Sequence, residues 1–520
     1  MNFTRVEQFL DHSAALYPDK PAVWFEDNWS TYSEILTQSN KLARFMIEHG
    51  IGKGERVALF MPNSLRYIVA YYAILKVGAV VVSLNTKCSK DEFRFFLKDA
   101  ECKALISEQR SLKNLTGLTI DDFDLSVVIT DHDLPGVDCT IGYFDIIFSK
   151  YDASLQAIKH QSHDLESIVY TSGSTGKAKG VMLTHSNIIA NTHSIVSYLH
   201  LQAEDRIMVI LPFYYIYGKS LLNTHFSVGG SLVIDNRFAF PNTVLETMGK
   251  TEVTGFAGVP STFLILLHKS VLRNYSFSKL RYLTQAGGPM SPSVQKKVAE
   301  IFAPSDLYIM YGATEASARL AYLDPKDLPR KWGSIGKAIP KVELFIVDEN
   351  GKEIEPGMEG EIVARGPNIF KGYWKDPETT SEALINGTYY TGDLGRMDED
   401  GFFYVTGRKS DFVKVGGEKV STREIEEHLL EIGDIAEAAV IGIQDHILGE
   451  SISAFLVLSP GSDITTTDIM RKLSRRLPAY KMPKEIQILR DLPKNESGKV
   501  MKNRLLNRPA KIQKSVINHH

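Results

Sequence analysis

Between Arg56 and Leu84 the sequence changes its hydrophobic period twice. Arg56-Val57-Ala58-Leu59-Phe60 is a short β-rich run that stops at Pro62. Ser64 to Val77 then reads as a helix closed by Gly78, and Ala79 to Leu84 is a second, largely apolar run. Strand, helix and strand in this order form a β-α-β unit, whose parallel strands need helices to cover their faces. The alternation recurs at Ala104 to Ile106, Val127 to Ile129, Arg206 to Leu211, Ser231 to Ile234 and Leu307 to Ile309. Beyond Trp332 glycines and prolines become frequent, and β-rich runs follow one another at Glu343 to Val347, Gly360 to Ala364 and Gly401 to Thr406. This texture predicts a smaller β-rich subdomain.

After Gly407-Arg408 the pattern changes again. Ser421-Thr422-Arg423-Glu424 has the form of a capping box, so a helix is expected from about Thr422, with Ile425, Leu429 and Ile432 on one face. Strand-like Ala439 to Ile443 and Ile452 to Leu458, a helix near Thr467 to Leu477, and strand-like Ile486 to Leu489 complete a small α+β domain. The expected fold is therefore α/β. A large N-terminal domain, residues 1–409, carries parallel α/β subdomains and a β-rich subdomain. A small, mobile α+β C-terminal domain covers residues 410–520.

A chain of 520 residues exceeds what one core usually serves, which agrees with two domains. The net charge of -3 leaves no basic excess for binding nucleic acid or a membrane surface by charge alone. Cys88, Cys102 and Cys139 show no metal-ligand spacing, and an odd count does not make a full disulfide framework, as in a reducing compartment. The N-terminus lacks the apolar region of a signal peptide, and no run is apolar enough to span a bilayer. A cytoplasmic protein without membrane insertion is expected; the oligomeric state is left open.

The densest local signal is Tyr170-Thr171-Ser172-Gly173-Ser174-Thr175-Gly176-Lys177-Ala178-Lys179-Gly180, which follows the apolar run Ser167 to Tyr170. Its glycines let backbone N–H groups approach an anion, and its hydroxyls and lysines add hydrogen bonds and charge. A polyphosphate needs these features. The spacing is not that of a Walker A loop.

This string closely resembles the phosphate loop of the AMP-forming adenylating superfamily, which includes acyl-CoA synthetases, aryl-CoA ligases, peptide-synthetase adenylation domains and luciferase. The family usually has proline where this chain has Ala178, and the family lysine matches Lys179. Further matches occur in the family's order along nearly the whole chain. Tyr311-Gly312-Ala313-Thr314-Glu315 resembles the adenine and metal motif, and Ala286-Gly287-Gly288-Pro289 the turn upstream of it. Tyr390-Thr391-Gly392-Asp393 resembles the ribose motif, Gly407-Arg408-Lys409-Ser410-Asp411 the hinge region, and Pro493 to Val500 the last motif.

The resemblance implies ATP, Mg²⁺ and CoA as ligands. Thr171, Ser172, Gly173, Ser174, Thr175, Gly176 and Lys179 would hold phosphates, with Gly287, Gly288, Tyr311 and Gly312 around the adenine. Thr314 would bond the α-phosphate, Glu315 would hold Mg²⁺, Asp393 would accept from the ribose hydroxyls and Arg408 would contact the nucleotide. Lys499 falls on the family's catalytic lysine. Ser410, or its neighbour Asp411, falls on the hinge, and Lys414, Gly416 and Gly417 on the loop that reaches the site in the second half-reaction. The implied reaction is attack of a carboxylate on the ATP α-phosphorus, loss of pyrophosphate, and transfer of the acyl group to a thiol.

By the same resemblance the acyl pocket is lined by Phe213 to Gly218, with Tyr214, Tyr215 and Tyr217, and by Phe256 to Pro260, with Gly258 and Val259. Aromatic and small residues suit an apolar fatty or aryl acid. Tyr215 stands at about the place of a family histidine. It cannot supply the negative charge that an α-amino acid's ammonium group requires. Lys219 could meet a second carboxylate of the substrate, although packing its stem elsewhere is the more ordinary role for a lysine. CoA is the expected acceptor; a free carrier protein with the same phosphopantetheine arm is the alternative. A catalytically inactive nucleotide-binding regulator is the alternative of another class, against which the retention of Lys499, Glu315, Asp393 and Arg408 argues.

Overall fold

The computed structural model describes residues 3–115, 123–133, 139–155, 161–172, 178–409, 412–415, 418–445, 449–494 and 500–506. Two compact units are present. One comprises Met1–Thr391 and Met397–Tyr404, the other Gly392–Arg396 and Val405–His520.

In the first unit the β-α-β reading holds: strand Arg56–Phe60, helix Leu65–Lys76 and strand Val80–Ser83, with the two strands parallel and Val57 beside Val81. The Ser64 hydroxyl caps the helix by accepting from the Tyr67 N–H at 3.1 Å. Every residue from Tyr67 to Lys76 is buried, as expected of a helix enclosed on all sides. Among the described residues these strands belong to an eight-stranded sheet. Its order is Gly372–Tyr373, Ala178–Thr184, Leu165–Ser172, Val80–Ser83, Arg56–Phe60, Cys102–Ser107, Val127–Thr130, Thr140–Tyr143. The strands from Leu165–Ser172 onward are parallel, and the first two are antiparallel additions at one edge.

Among the described residues a nine-stranded sheet holds Asp306–Tyr311, Tyr282–Gln285, Gly255–Gly258, Arg206–Val209, Ser231–Ile234 and Pro21–Phe25 in parallel. Helices His185–Leu199 and Ile216–Val228 are among those that cover the sheets, and their apolar side chains join one large core. The predicted β-rich part forms a separate sheet with the order Glu343–Val347, Glu359–Arg365, Thr388–Met397, Leu384–Ile385.

The second unit carries strands Glu418–Ser421, Phe412–Val415, Gly449–Leu458 and Ile435–Asp445 in that order, with Glu485–Ile488 parallel to Gly449–Leu458. Helix Thr422–Leu430 buries Ile425 and Leu429, and Thr466–Leu473 buries Ile469 and Leu473. Two local expectations need correction. The Ser421 hydroxyl accepts from the Glu424 N–H, but the Glu424 carboxylate bonds to Lys481 at 2.7 Å, so the capping box is only half formed. A charged ammonium is a stronger partner than a backbone N–H. The later helix stops at Leu473 rather than Leu477: Ser474 to Arg476 form a turn, and Pro478 disfavours the helical region for Leu477. Among the described residues no helix is long and apolar enough to cross a membrane.

Candidate active site

Strands Gly255–Gly258, Tyr282–Gln285 and Asp306–Tyr311 run side by side with Gly258 beside Gln285, and Leu283 beside Leu307. Their C-terminal ends, Gly258-Val259, Ala286 to Gly288 and Tyr311 to Glu315, therefore emerge at one edge of the sheet. Parallel sheets bind ligands at such edges. Gly287 has φ +84°, and a Cβ there would stand 3.1 Å from the Val259 side chain. The Gln285 amide ties the turn by donating to the Gly288 carbonyl at 2.8 Å.

The segment after Tyr311 folds back sharply. Thr314–Ala316 form a 3₁₀ turn, Ser317 and Ala318 take φ +55° and +115°, and the Leu320 N–H returns to the Tyr311 carbonyl at 2.8 Å. Gly312 is required at this reversal, because a Cβ would lie 2.0 Å from the Ala318 carbonyl oxygen. Two buried asparagines brace the turn. Asn368 Nδ2 donates to the carbonyls of Ala316 and Arg319, and Asn191 Nδ2 to the Arg319 carbonyl at 2.9 Å. Tyr311 to Glu315 are all half-buried.

The phosphate-loop segment is a hairpin. Strands Leu165–Ser172 and Ala178–Thr184 are antiparallel with Thr171 opposite Lys179 and Ser172 opposite Ala178. Its base is anchored on both sides. The Tyr170 hydroxyl donates to Asp99 at 2.5 Å, and the Trp374 N–H to the Gly180 carbonyl at 2.7 Å. Strand Gly372–Tyr373 pairs alongside, with Tyr373 opposite Val181. This places the Lys179 ammonium 5.4 Å from the centre of the Tyr373 ring, while the Tyr373 hydroxyl donates to Glu315 Oε1 at 2.9 Å. The Phe370 N–H also donates to the Glu315 carbonyl at 2.8 Å. Tyr373 thus joins the phosphate hairpin to the turn that carries Glu315.

The expected acyl residues lie nearby. Tyr214 and Tyr215 pack with ring centroids 4.7 Å apart. Tyr217 is buried, and its hydroxyl lies 2.9 Å from Thr284 Oγ1, with Thr284 only three residues before Gly287. Gly218 lets helix Ile216–Val228 begin against Pro212, whose carbonyl oxygen would be 2.1 Å from a Cβ. Lys219 turns into the core. It is fully buried and donates to Glu166 Oε2 at 3.2 Å and to Ser167 Oγ at 2.7 Å, while the Tyr71 hydroxyl donates to Glu166 Oε1 at 2.7 Å. Burial alone would raise the Glu166 carboxyl; the charge of Lys219 and the bonds from Ser167 and Tyr71 reverse this and hold it below the usual carboxylate range.

In the second unit, Arg408 Nε donates to Asp393 Oδ1 at 2.6 Å, joining two residues that are 15 positions apart. Lys414 is a strand residue opposite Lys419. Gly173, Ser174, Thr175, Gly176, Ser410, Asp411, Gly416, Gly417 and Lys499 lie outside the described residues. Sequence reasoning missed Tyr373, Asn191 and Asn368. No local pattern marks them, because each acts on a segment far away in the chain.

The pattern of the AMP-binding enzyme family matches residues 10–374, and that of the AMP-binding enzyme C-terminal domain matches residues 424–499. The chain belongs to the AMP-binding enzyme family. A long-chain-fatty-acid–CoA ligase of Bacillus subtilis is 32% identical over 99% of this chain and 95% of its own length. The anthranilate CoA ligase AuaEII, solved with anthranoyl-AMP, superposes with a TM-score of 0.88 at 25% identity, covering 96% of both chains. The o-succinylbenzoate CoA synthetase of Bacillus subtilis, solved with ATP and a magnesium ion, superposes with a TM-score of 0.82 at 28% identity, covering 96% of this chain and 98% of that one. The protein is accordingly an AMP-forming acid–CoA ligase, which adenylates carboxylic acids.

Proposed function

We propose that this ligase activates an acid with an apolar aryl or acyl body and passes it to the CoA thiol. The observations that carry the reading are the Lys179–Tyr373–Glu315 cluster, which suits polyphosphate chemistry, and the buried Tyr214 and Tyr217, which suit an aromatic wall.

One carboxylate, Glu315, fits a magnesium ion that arrives with nucleotide phosphates and water. Among the described residues no group of three or more His, Cys, Asp or Glu forms a protein-only cage. Bound there, Mg²⁺ would offset phosphate charge as the substrate carboxylate approaches. The hairpin of Thr171 to Lys179 holds the phosphates, Tyr311 lies against the adenine and Thr314 donates to the α-phosphate. Asp393 accepts from the ribose hydroxyls and Arg408 orients it. A carboxylate oxygen attacks the α-phosphorus, the bond to the β-phosphate breaks and pyrophosphate leaves. Lys499 stabilises the converging oxygens. Residues 410–520 then turn about Ser410, bringing Lys414, Gly416 and Gly417 to the site. The CoA thiolate attacks the acyl carbon, the C–O bond to phosphate breaks and AMP leaves.

Carboxylate-dependent pyrophosphate release over fatty and aryl acids, with and without CoA, tests this reading. Release followed by CoA thioester is expected; release with no thioester would move the acceptor to a carrier protein, and no release with any acid would end the reading. Tyr373→Phe keeps the ring but removes the bond to Glu315. The magnesium concentration for half-maximal pyrophosphate release should rise about 10- to 100-fold, as when a ligand's outer partner is lost.

A further inference from the structure

The chain reverses after Glu315 and delivers Arg319 into the core, where it is 3% exposed. Its Nε donates to Met310 Sδ at 3.0 Å and its Nη1 to the Ala318 carbonyl at 3.0 Å. Its guanidinium carbon stands 4.0 Å from the centre of the Tyr217 ring. No carboxylate of the described residues forms an ion pair with it. These partners are neutral, whereas buried cations are ordinarily paired with an anion. The placement is not loose. Asn191 and Asn368 both hold the Arg319 carbonyl at 2.9 Å, fixing the backbone from two directions. Lys219, the other buried cation near the acyl residues, is already neutralised by Glu166. Arg319 is not.

Arg319 also lines a cavity of about 10 Å³ beneath the sheet, roughly the room one water needs. Ser220, Thr224, His225, Thr284 and Met310 are among its other lining residues. The His225 ring accepts or donates at Tyr282 Oη, 3.0 Å away, and burial pushes its pKa down to about 4, so it is neutral at pH 7. The charge at this cavity is therefore that of Arg319. Ser220, Thr224 and Thr284 share its walls with the apolar Ile195, Leu199 and Leu221, and its volume leaves no room for an alkyl chain to continue past the guanidinium. An acid reaching this point must be short and must end in an acceptor; a methyl terminus would face a buried cation.

We propose that Arg319 is the specificity residue for the far end of the acid, and that the substrate carries a second carboxylate there, beyond the one that is adenylated. This rests on the ligase reading above and narrows it: Tyr214 and Tyr217 contact the apolar body, and Arg319 pairs with the distal charge. A planar fork of N–H donors suits a carboxylate in two-point contact, which Lys cannot reproduce.

The test compares short monocarboxylates with dicarboxylates of matched length, both straight-chain and aromatic, by pyrophosphate release. The wild type should favour the dicarboxylate of the best pair by at least about tenfold in kcat/KM. Arg319→Met should abolish or invert that ratio through the dicarboxylate's KM while sparing the monocarboxylate, and Arg319→Lys should fall between them. Preference of the wild type for monocarboxylates, or an equal loss for both members of the pair in Arg319→Met, overturns the proposal and leaves the ligase reading standing. Release with neither class overturns both. If Arg319→Met fails to fold, an unchanged ratio in Arg319→Lys overturns the proposal, and a reduced one supports it.

Discussion

Replacing Lys499 with alanine should lower adenylate formation by about a hundred- to a thousandfold while leaving thioester formation from supplied acyl-adenylate within a few fold of wild type. The first half-reaction brings two negative groups together, the substrate carboxylate and the α-phosphate. A single positioned donor at such a point typically accounts for a factor of this size. The second half-reaction has different needs: a thiolate approaches a neutral carbonyl, and the leaving AMP is already a good leaving group. If residues 410–520 turn between the steps, Lys499 is absent from the second. Pyrophosphate exchange measures the first step, and CoA thioester formation from synthetic acyl-adenylate measures the second. Equal loss of both would contradict the two-conformation scheme. Lys499→Arg separates charge from shape, because a guanidinium keeps the charge but changes the reach and donor geometry.

The elements at the site were legible in the sequence where local pattern decides structure. Arg56–Phe60, Leu65–Lys76 and Val80–Ser83 follow from one change of period and back, with Ser64 and Gly78 as the stops. The Tyr311 to Glu315 turn was legible as a string. What held the turn in place was not: Asn191 and Asn368 lie on either side of it in sequence and reach it only through packing. Tyr373 sits on a strand only two residues long, Gly372–Tyr373, which exists because the phosphate hairpin offers it an edge. No periodicity can show so short a strand. Lys219 illustrates the opposite case. Its place in the sequence, two residues after Tyr217, left a substrate contact open beside the more ordinary packed role, and nothing local named its partner, Glu166, 53 positions away. Charge pairing across that distance is set by which elements pack together. Arg319 lies four residues after the Tyr311–Glu315 motif, yet its inward direction depends on the positive φ values of Ser317 and Ala318.

Lys219→Met should destabilise the protein by about 3–5 kcal/mol, a large part of the roughly 5–15 kcal/mol that holds a typical domain together. The loss comes less from the missing attraction than from what remains. Glu166 has no exposure to water, and without Lys219 its charge is met chiefly by the hydroxyls of Tyr71 and Ser167. With the Lys219 charge gone and His185 the remaining charge influence, it must then stay ionised at high cost or take up a proton. The partner substitution distinguishes these terms. Glu166→Gln with Lys219→Met removes both charges and keeps an oxygen for the Tyr71 hydroxyl, so the double variant should recover most of the lost stability. The coupling in the double-mutant cycle then reports the pair rather than either side chain alone. Urea denaturation midpoints measure all four proteins. The same cycle separates a structural role from a substrate role. Glu166 is the second residue of the strand that leads to Thr171, and Lys219 lies on the helix that carries Tyr217, so the pair ties phosphate hairpin to acyl helix from beneath. A structural pair predicts lost stability with a nearly unchanged KM in the folded fraction. A raised acid KM at unchanged stability would return Lys219 to the substrate and remove the reason for assigning the distal charge to Arg319.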